Sequence, residues 1–222
     1  MTRPELTADI VASLRAAFAA AHRDDLPYRH WYVRNTFPQG VSAAVRNLPF
    51  APPDLGGVSG KRELHNDQRH YFDAENQARF EVCAAVAQAF QSADAASAIA
   101  RTTGADLDGT FVRLEFAQDT DGFWLEPHTD LGVKRFTMLI YLADDEGQAD
   151  LGTDMYRAPG EWVKRTPFDD NAALVFVPGD ATWHGVEPRP IVGVRRTLIM
   201  NYVTDGWRDR SQLSYPEAPV RI

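Results

Sequence analysis

Hydrophobic residues fall into two rhythms along this chain. In the first hundred or so positions they recur every three or four residues; from Thr110 onward they come in short runs with two-residue alternation. The first rhythm predicts a helix over 7–22, with Thr7 as N-cap and Ile10, Leu14, Ala17 and Phe18 on one face. Residues 26–60 are richer in Pro and Gly, with short apolar pieces at 30–33 and 41–45 and a loop at 51–57, APPDLGG. Tyr71, Phe72 and Asp73 introduce a second helix over 74–91, whose apolar set is Phe80, Val82, Cys83, Val86 and Phe90. Ser92 caps a third helix that ends at Gly104.

The second rhythm predicts strands at 111–116, 123–127, 135–142, 149–156, 161–166, 173–178, 181–186 and 194–203. Asp121-Gly122, Asp144 to Gly147, Ala158-Pro159-Gly160 and Pro178-Gly179 punctuate them. Short strands with such turns suggest a sandwich or jelly roll. The run RFTMLIYL is apolar at nearly every position, so both its faces must be covered, one of them by the preceding helices. The expected class is mostly β with N-terminal helices. It is read as one domain over 1–222, with a helix-rich part at 1–105 and a β core at 106–205.

Composition narrows the partners. Lys and Arg total 23 against 31 Asp and Glu, a net charge of −8, which disfavours a general nucleic-acid surface. The one cysteine, Cys83, cannot form an internal disulfide, which fits a reducing compartment. The N-terminal stretch carries charges inside its apolar positions, unlike a signal peptide, and no run approaches the ~20 apolar residues that span a bilayer. A cytoplasmic protein without membrane partners is expected. The oligomeric state stays open, a homodimer included.

The candidate chemistry lies in the β-like half. EPHTD places His128 and Asp130 two residues apart, so both point to the same side of an extended chain. A second histidine, His184, follows in PGDATWHG, and Arg195 follows in GVRRTLIMNYV. Alone, His-x-Asp is a weak signal, and its plain reading is turn histidines on a β-sandwich. Two imidazoles and one carboxylate, however, leave half an octahedron open, which is the facial geometry of non-haem iron(II) oxygenases. In this order and context, the chain resembles the iron(II)/2-oxoglutarate-dependent dioxygenases, and within them the prolyl-hydroxylase-like branch. The resemblance covers roughly residues 110–203.

That resemblance implies a double-stranded β-helix holding Fe(II) on His128, Asp130 and His184. It implies 2-oxoglutarate as co-substrate, molecular oxygen as oxidant, and room for ascorbate as a reductant. In the family, 2-oxoglutarate is converted to succinate and carbon dioxide while a substrate is hydroxylated, here a small molecule or an amino-acid or peptide side chain. Related halogenases lack the carboxylate, so Asp130 favours hydroxylation or another oxidation of the same kind. The family role of gripping the distal carboxylate of 2-oxoglutarate falls on Arg195, with Arg196 as rival. Strand parity puts Arg195, Thr197, Ile199 and Asn201 on one face, and Arg196, Leu198, Met200 and Tyr202 on the other. A guanidinium suits a carboxylate because its planar fork binds both oxygens. Tyr141 shares a face with Thr137 and Leu139; it either hydrogen-bonds the same co-substrate or is a core aromatic with a satisfied hydroxyl.

Other polar residues read more plainly. If Val112, Leu114 and Phe116 face the helices, Arg113 faces the interior, either pairing with Glu115 or holding a substrate carboxylate. Trp124 and Trp183 read as packing, and Asp154 as a strand-end or turn residue. Arg62, His65, Arg69 and His70 lie in a polar stretch that could cover the pocket or simply be solvated. Two other classes remain. One is a cupin-like metalloenzyme without 2-oxoglutarate, whose usual His-x-His and further Glu are missing here. The other is a ligand-binding or sensory module that retains a metal.

Overall fold

Residues 2–55, 59–61, 69–144 and 146–222 are described by the computed structural model. Helix α1 runs Arg3–Ala19, starting earlier than its apolar face suggests. Thr2, not Thr7, is its N-cap, the Thr2 amide donates to Glu5 Oε2 at 2.7 Å, and Pro4 occupies the first turn. Thr7 is instead a buried residue inside the helix. Residues expected to end the helix form strand β1 (His22–Asp24), which pairs with β2 (His30–Arg34). The apolar piece at 41 is helix α2 (Val41–Arg46), and 51–55 carry neither helix nor strand. Strand β3 (His70–Tyr71) precedes helix α3 (Ala74–Arg79).

The expected helix over 74–91 is two. Phe80 adopts an extended backbone between α3 and α4 (Glu81–Gln91), and its ring meets Phe50 edge-on at 5.5 Å. Asp73 caps α3 by accepting from the Asn76 amide. Ser92 caps α5 (Ala93–Thr103), and Gly104, at φ 77°, supplies the left-handed stop.

The remaining strands are β4 (Phe111–Asp119), β5 (Leu125–His128), β6 (Lys134–Tyr141), β7 (Asp154–Tyr156), β8 (Trp162–Arg165), β9 (Ala172–Phe176), β10 (His184–Val186) and β11 (Arg195–Val203). The run at 149–156 is strand only over its last three residues, and the runs at 173–178 and 181–186 are likewise trimmed. Two antiparallel sheets result, ordered β1-β2-β9-β6-β11-β4-β3 and β5-β10-β7-β8. They face one another as the two layers of a jelly roll, and they do not close into a barrel.

Alternation in the central strands assigns each side chain to one of two cores. Val112, Leu114, Phe116, Met138, Ile140, Leu198 and Met200 pack outward against Ile10, Leu14, Phe18, Val86 and Phe90 of the helices. Ala117, Leu139, Tyr141 and Ile199 point inward and meet Leu125, Met155 and Val186 of the smaller sheet. This is why RFTMLIYL is apolar on both faces: helices cover one and the second sheet covers the other. Among the described residues, no helix is long and apolar enough to cross a membrane.

Candidate metal centre

The smaller sheet brings the two histidines together. In the β5–β10 pair, His184 stands opposite His128, with ring centroids 4.4 Å apart. Gly185 permits that pairing, because a Cβ there would lie 2.7 Å from the Leu125 carbonyl oxygen. Asp130, two residues beyond β5, turns to the same point. One donor atom from each of His128, Asp130 and His184 falls within 4.8 Å of the others. All three predicted ligands therefore converge.

Hydrogen bonds set the donors. His128 Nδ1 lies 2.9 Å from the Glu126 carbonyl and His184 Nδ1 lies 3.0 Å from the Thr182 carbonyl. A carbonyl only accepts, so each Nδ1 carries a proton, and in the neutral ring that leaves the Nε2 lone pair for a metal. Burial, and then the neighbouring His128, push the His184 pKa down to about 4, so the ring is neutral at neutral pH. For Asp130, burial alone would raise the pKa. The Lys134 ammonium, His184, and hydrogen bonds from Lys134 and Thr137 outweigh it and hold the carboxyl well below its usual range. Lys134 Nζ lies 2.5 Å from Oδ1, and the Thr137 hydroxyl donates to Oδ2 at 2.6 Å. Asn201 in turn donates to Thr137, and Arg113 to Asn201, so the ligand carboxylate is braced from the larger sheet.

On the deep side of this centre lies a cavity lined by Leu139, Thr153, Val186, Arg195, Thr197 and Ile199. Arg195 is 2% exposed; its Nε donates to the Leu151 carbonyl at 2.6 Å and its Nη1 to Asp119 at 2.5 Å. Its Nη2 has no hydrogen-bond partner among the described residues. Arg196 takes the opposite face and pairs with Asp144 at 3.0 Å. Thr197, also 2% exposed, has a buried hydroxyl without a partner. Buried hydroxyls are rarely left so, and this one borders the cavity. Its signal was its parity with Arg195, two residues away. Tyr141 is fully buried behind this wall, where its hydroxyl contacts Thr153 at 2.9 Å and Thr166 at 2.6 Å. Burial raises its pKa and keeps it protonated.

On the open side, a second cavity of about 260 Å³ shares His128, Asp130, Glu115, Leu125 and Lys134 with the first. Arg113 pairs with Glu115 at 2.8 Å, and its guanidinium also lies over the Tyr71 and Trp207 rings. Arg69 also borders this cavity, whereas His70 stacks on Phe50 at 4.0 Å. Arg62 and His65 lie outside the described residues. Trp124 is 37% exposed and Trp183 is half-buried. Asp154 is fully buried away from the metal centre, holding Trp162, Arg165, Arg189 and the Glu187 amide. Lys134 is the neighbour that sequence reasoning missed, because nothing in its local pattern signals that it folds back onto Asp130.

No protein-family model and no curated protein matches this sequence. Solved structures do. A prolyl 4-hydroxylase from Phytophthora capsici aligns over 91% of this chain at 17% identity with a TM-score of 0.55, and this chain spans 65% of that protein. A Pseudomonas putida prolyl-4-hydroxylase aligns over 87% of this chain and 99% of its own, at 16% identity and a TM-score of 0.55. The chain has the prolyl 4-hydroxylase fold. HygX from Streptomyces hygroscopicus, solved with nickel and 2-oxoglutarate bound, aligns over 87% of this chain and 90% of its own, at 14% identity and a TM-score of 0.50. The double-stranded β-helix expected from the motifs is thus the observed fold.

Proposed function

We propose that this protein is an iron(II)- and 2-oxoglutarate-dependent oxygenase that hydroxylates a small molecule or an amino-acid or peptide side chain. One observation carries the reading. His128, Asp130 and His184 converge at a cavity whose wall also carries a buried guanidinium and an unpartnered hydroxyl. Two neutral imidazoles and one carboxylate suit iron(II) and leave positions open for a chelating 2-oxo acid and oxygen. With these bound, the metal supplies oxidation of the 2-oxo acid coupled to oxidation of the substrate.

The chain's own groups would do the rest. His128 and His184 are oriented by their carbonyl partners, so ligation costs no tautomer change. Thr137 and Lys134 hold the Asp130 carboxylate in its charged form. Arg195 Nη2 and the Thr197 hydroxyl would donate to the far carboxylate of 2-oxoglutarate, which gives the unpartnered Thr197 hydroxyl an acceptor. Tyr141 backs the same wall through Thr153, and would reach the co-substrate only by giving up a threonine contact. Leu139, Val186 and Ile199 give the deep cavity an apolar side.

The test is anaerobic titration of metal-free protein with Fe(II) and then 2-oxoglutarate, following the visible charge-transfer band of the chelate. The band should form, and it should disappear in His128→Ala. In His184→Ala, iron affinity should fall by about tenfold or more. Iron bound without any band would reject the co-substrate and favour a cupin-like or sensory role. Product analysis then separates hydroxylation from other oxidations.

A further inference from the structure

The outer cavity differs from the deep one in how its charges are matched. Arg113 and Arg69 both reach Glu115, at 2.8 and 3.4 Å, and Lys61 reaches Glu126 at 3.7 Å. Lys134 is different. The residue borders both cavities, its side chain is only 15% exposed, and its ion-pair partner is Asp130, one of the candidate metal donors. Once Asp130 and one carboxylate of the co-substrate balance a divalent metal, the Lys134 charge has no dedicated counter-charge. A cation held this far from water calls for one.

The same cavity has an apolar side. Leu125 and Trp207 line it, and Leu131, one residue past the ligand carboxylate, borders it while 64% exposed. A large apolar side chain left open beside a metal centre is a surface that a ligand would cover. A volume of about 260 Å³ suits a compact molecule.

We propose that the outer cavity binds a small organic acid as primary substrate, its anionic group on the Lys134 ammonium and its apolar body against Leu131 and Trp207. This rests on the oxygenase reading above and narrows its substrate class. The acid's carboxylate or phosphate supplies the missing counter-charge. Lys134 thereby fixes which end of the molecule faces away from the metal's open positions, and so which carbon is presented to them.

The experiment is calorimetric titration of anaerobic Fe(II)-loaded protein, first with 2-oxoglutarate. It is then repeated, at saturating 2-oxoglutarate, with a panel of small ring-bearing carboxylic acids, each paired with its own carboxamide. At least one acid should bind about tenfold more tightly than its amide, the worth of one charge-assisted contact. Lys134→Met should erase that preference and Lys134→Arg should keep it, with iron affinity measured in each variant to separate this effect from damage to Asp130. If no acid outbinds its amide, or if the preference survives Lys134→Met, the proposal is overturned. Failure of 2-oxoglutarate to bind would instead overturn the oxygenase reading. The acid–amide comparison on the iron-loaded protein would still judge the cavity.

Discussion

Replacing Thr197 by valine should move stability and co-substrate affinity in opposite directions. The Thr197 hydroxyl is buried in β11 without a hydrogen-bond partner, on the wall of the deep cavity. An unsatisfied buried polar group costs about 1–3 kcal/mol, and valine keeps the β-branched shape that suits a strand. Without 2-oxoglutarate, Thr197→Val should therefore gain about 1 kcal/mol, raising the melting temperature by about 2–4 °C for a chain of this size. With 2-oxoglutarate the hydroxyl would have a charged acceptor, and losing such a bond costs about 1.5–3 kcal/mol, or about 10–150-fold in Kd. Thermal denaturation of metal-loaded protein across a 2-oxoglutarate series reads both effects at once, because a ligand that binds only the folded state raises its stability. The variant should start above the wild type and gain less, so the two curves cross. A variant less stable than wild type without ligand, or one with unchanged affinity, would refute the assignment of this wall to the co-substrate.

Three further outcomes follow from the geometry. Arg195→Lys should weaken 2-oxoglutarate by about tenfold or more, since an ammonium cannot hold Leu151 and Asp119 and still reach the co-substrate, whereas Arg196→Ala should leave it unchanged; the reverse result would show the strand parity to be misread. Asp154→Asn should destabilise the fold by about 3–5 kcal/mol, because it leaves Arg165 and Arg189 without their buried carboxylate, and urea denaturation measures this. Burial alone would raise the Asp154 pKa, but Arg189, the Glu187 amide and Trp162 hold it below the usual value. The unfolded chain then binds the proton more readily, so the Asp154 contribution is present at neutral pH and fades as pH falls below about 4; the variant should lose that part of the acid dependence. Gly185→Ala should push β10 from β5 and weaken iron binding, read by metal titration, because its Cβ meets backbone rather than a side chain that could move aside.

Much of the candidate metal centre was legible from residue type and order. Strand alternation put His128 and Asp130 on one side; the structure ends β5 at His128, and Asp130 reaches the same point from beyond the strand. The face of β11 was legible for the same reason, so Arg195 could be separated from Arg196. Helix ends were less legible. The start of α1 depends on a threonine–glutamate cap upstream of the apolar face, and the break at Phe80 depends on Phe50, 30 residues earlier in sequence. A local pattern cannot register a contact with a distant ring.

By itself, the sequence determined what is periodic or chemical: a helix-rich first part and a strand-rich second, the inward and outward faces of the central strands, and the three residues that can hold a metal. Only the tertiary structure decided what depends on how separate segments meet. It placed His184 opposite His128 through the β5–β10 register, left Thr197 without a partner, and satisfied Tyr141 with two threonines. It also folded Lys134 back onto Asp130. The reason is the range of the forces involved. Backbone alternation and capping act over a few residues and are written locally. The matching of buried charges and hydroxyls is a balance among strands far apart in sequence, and it exists only once both sheets are packed.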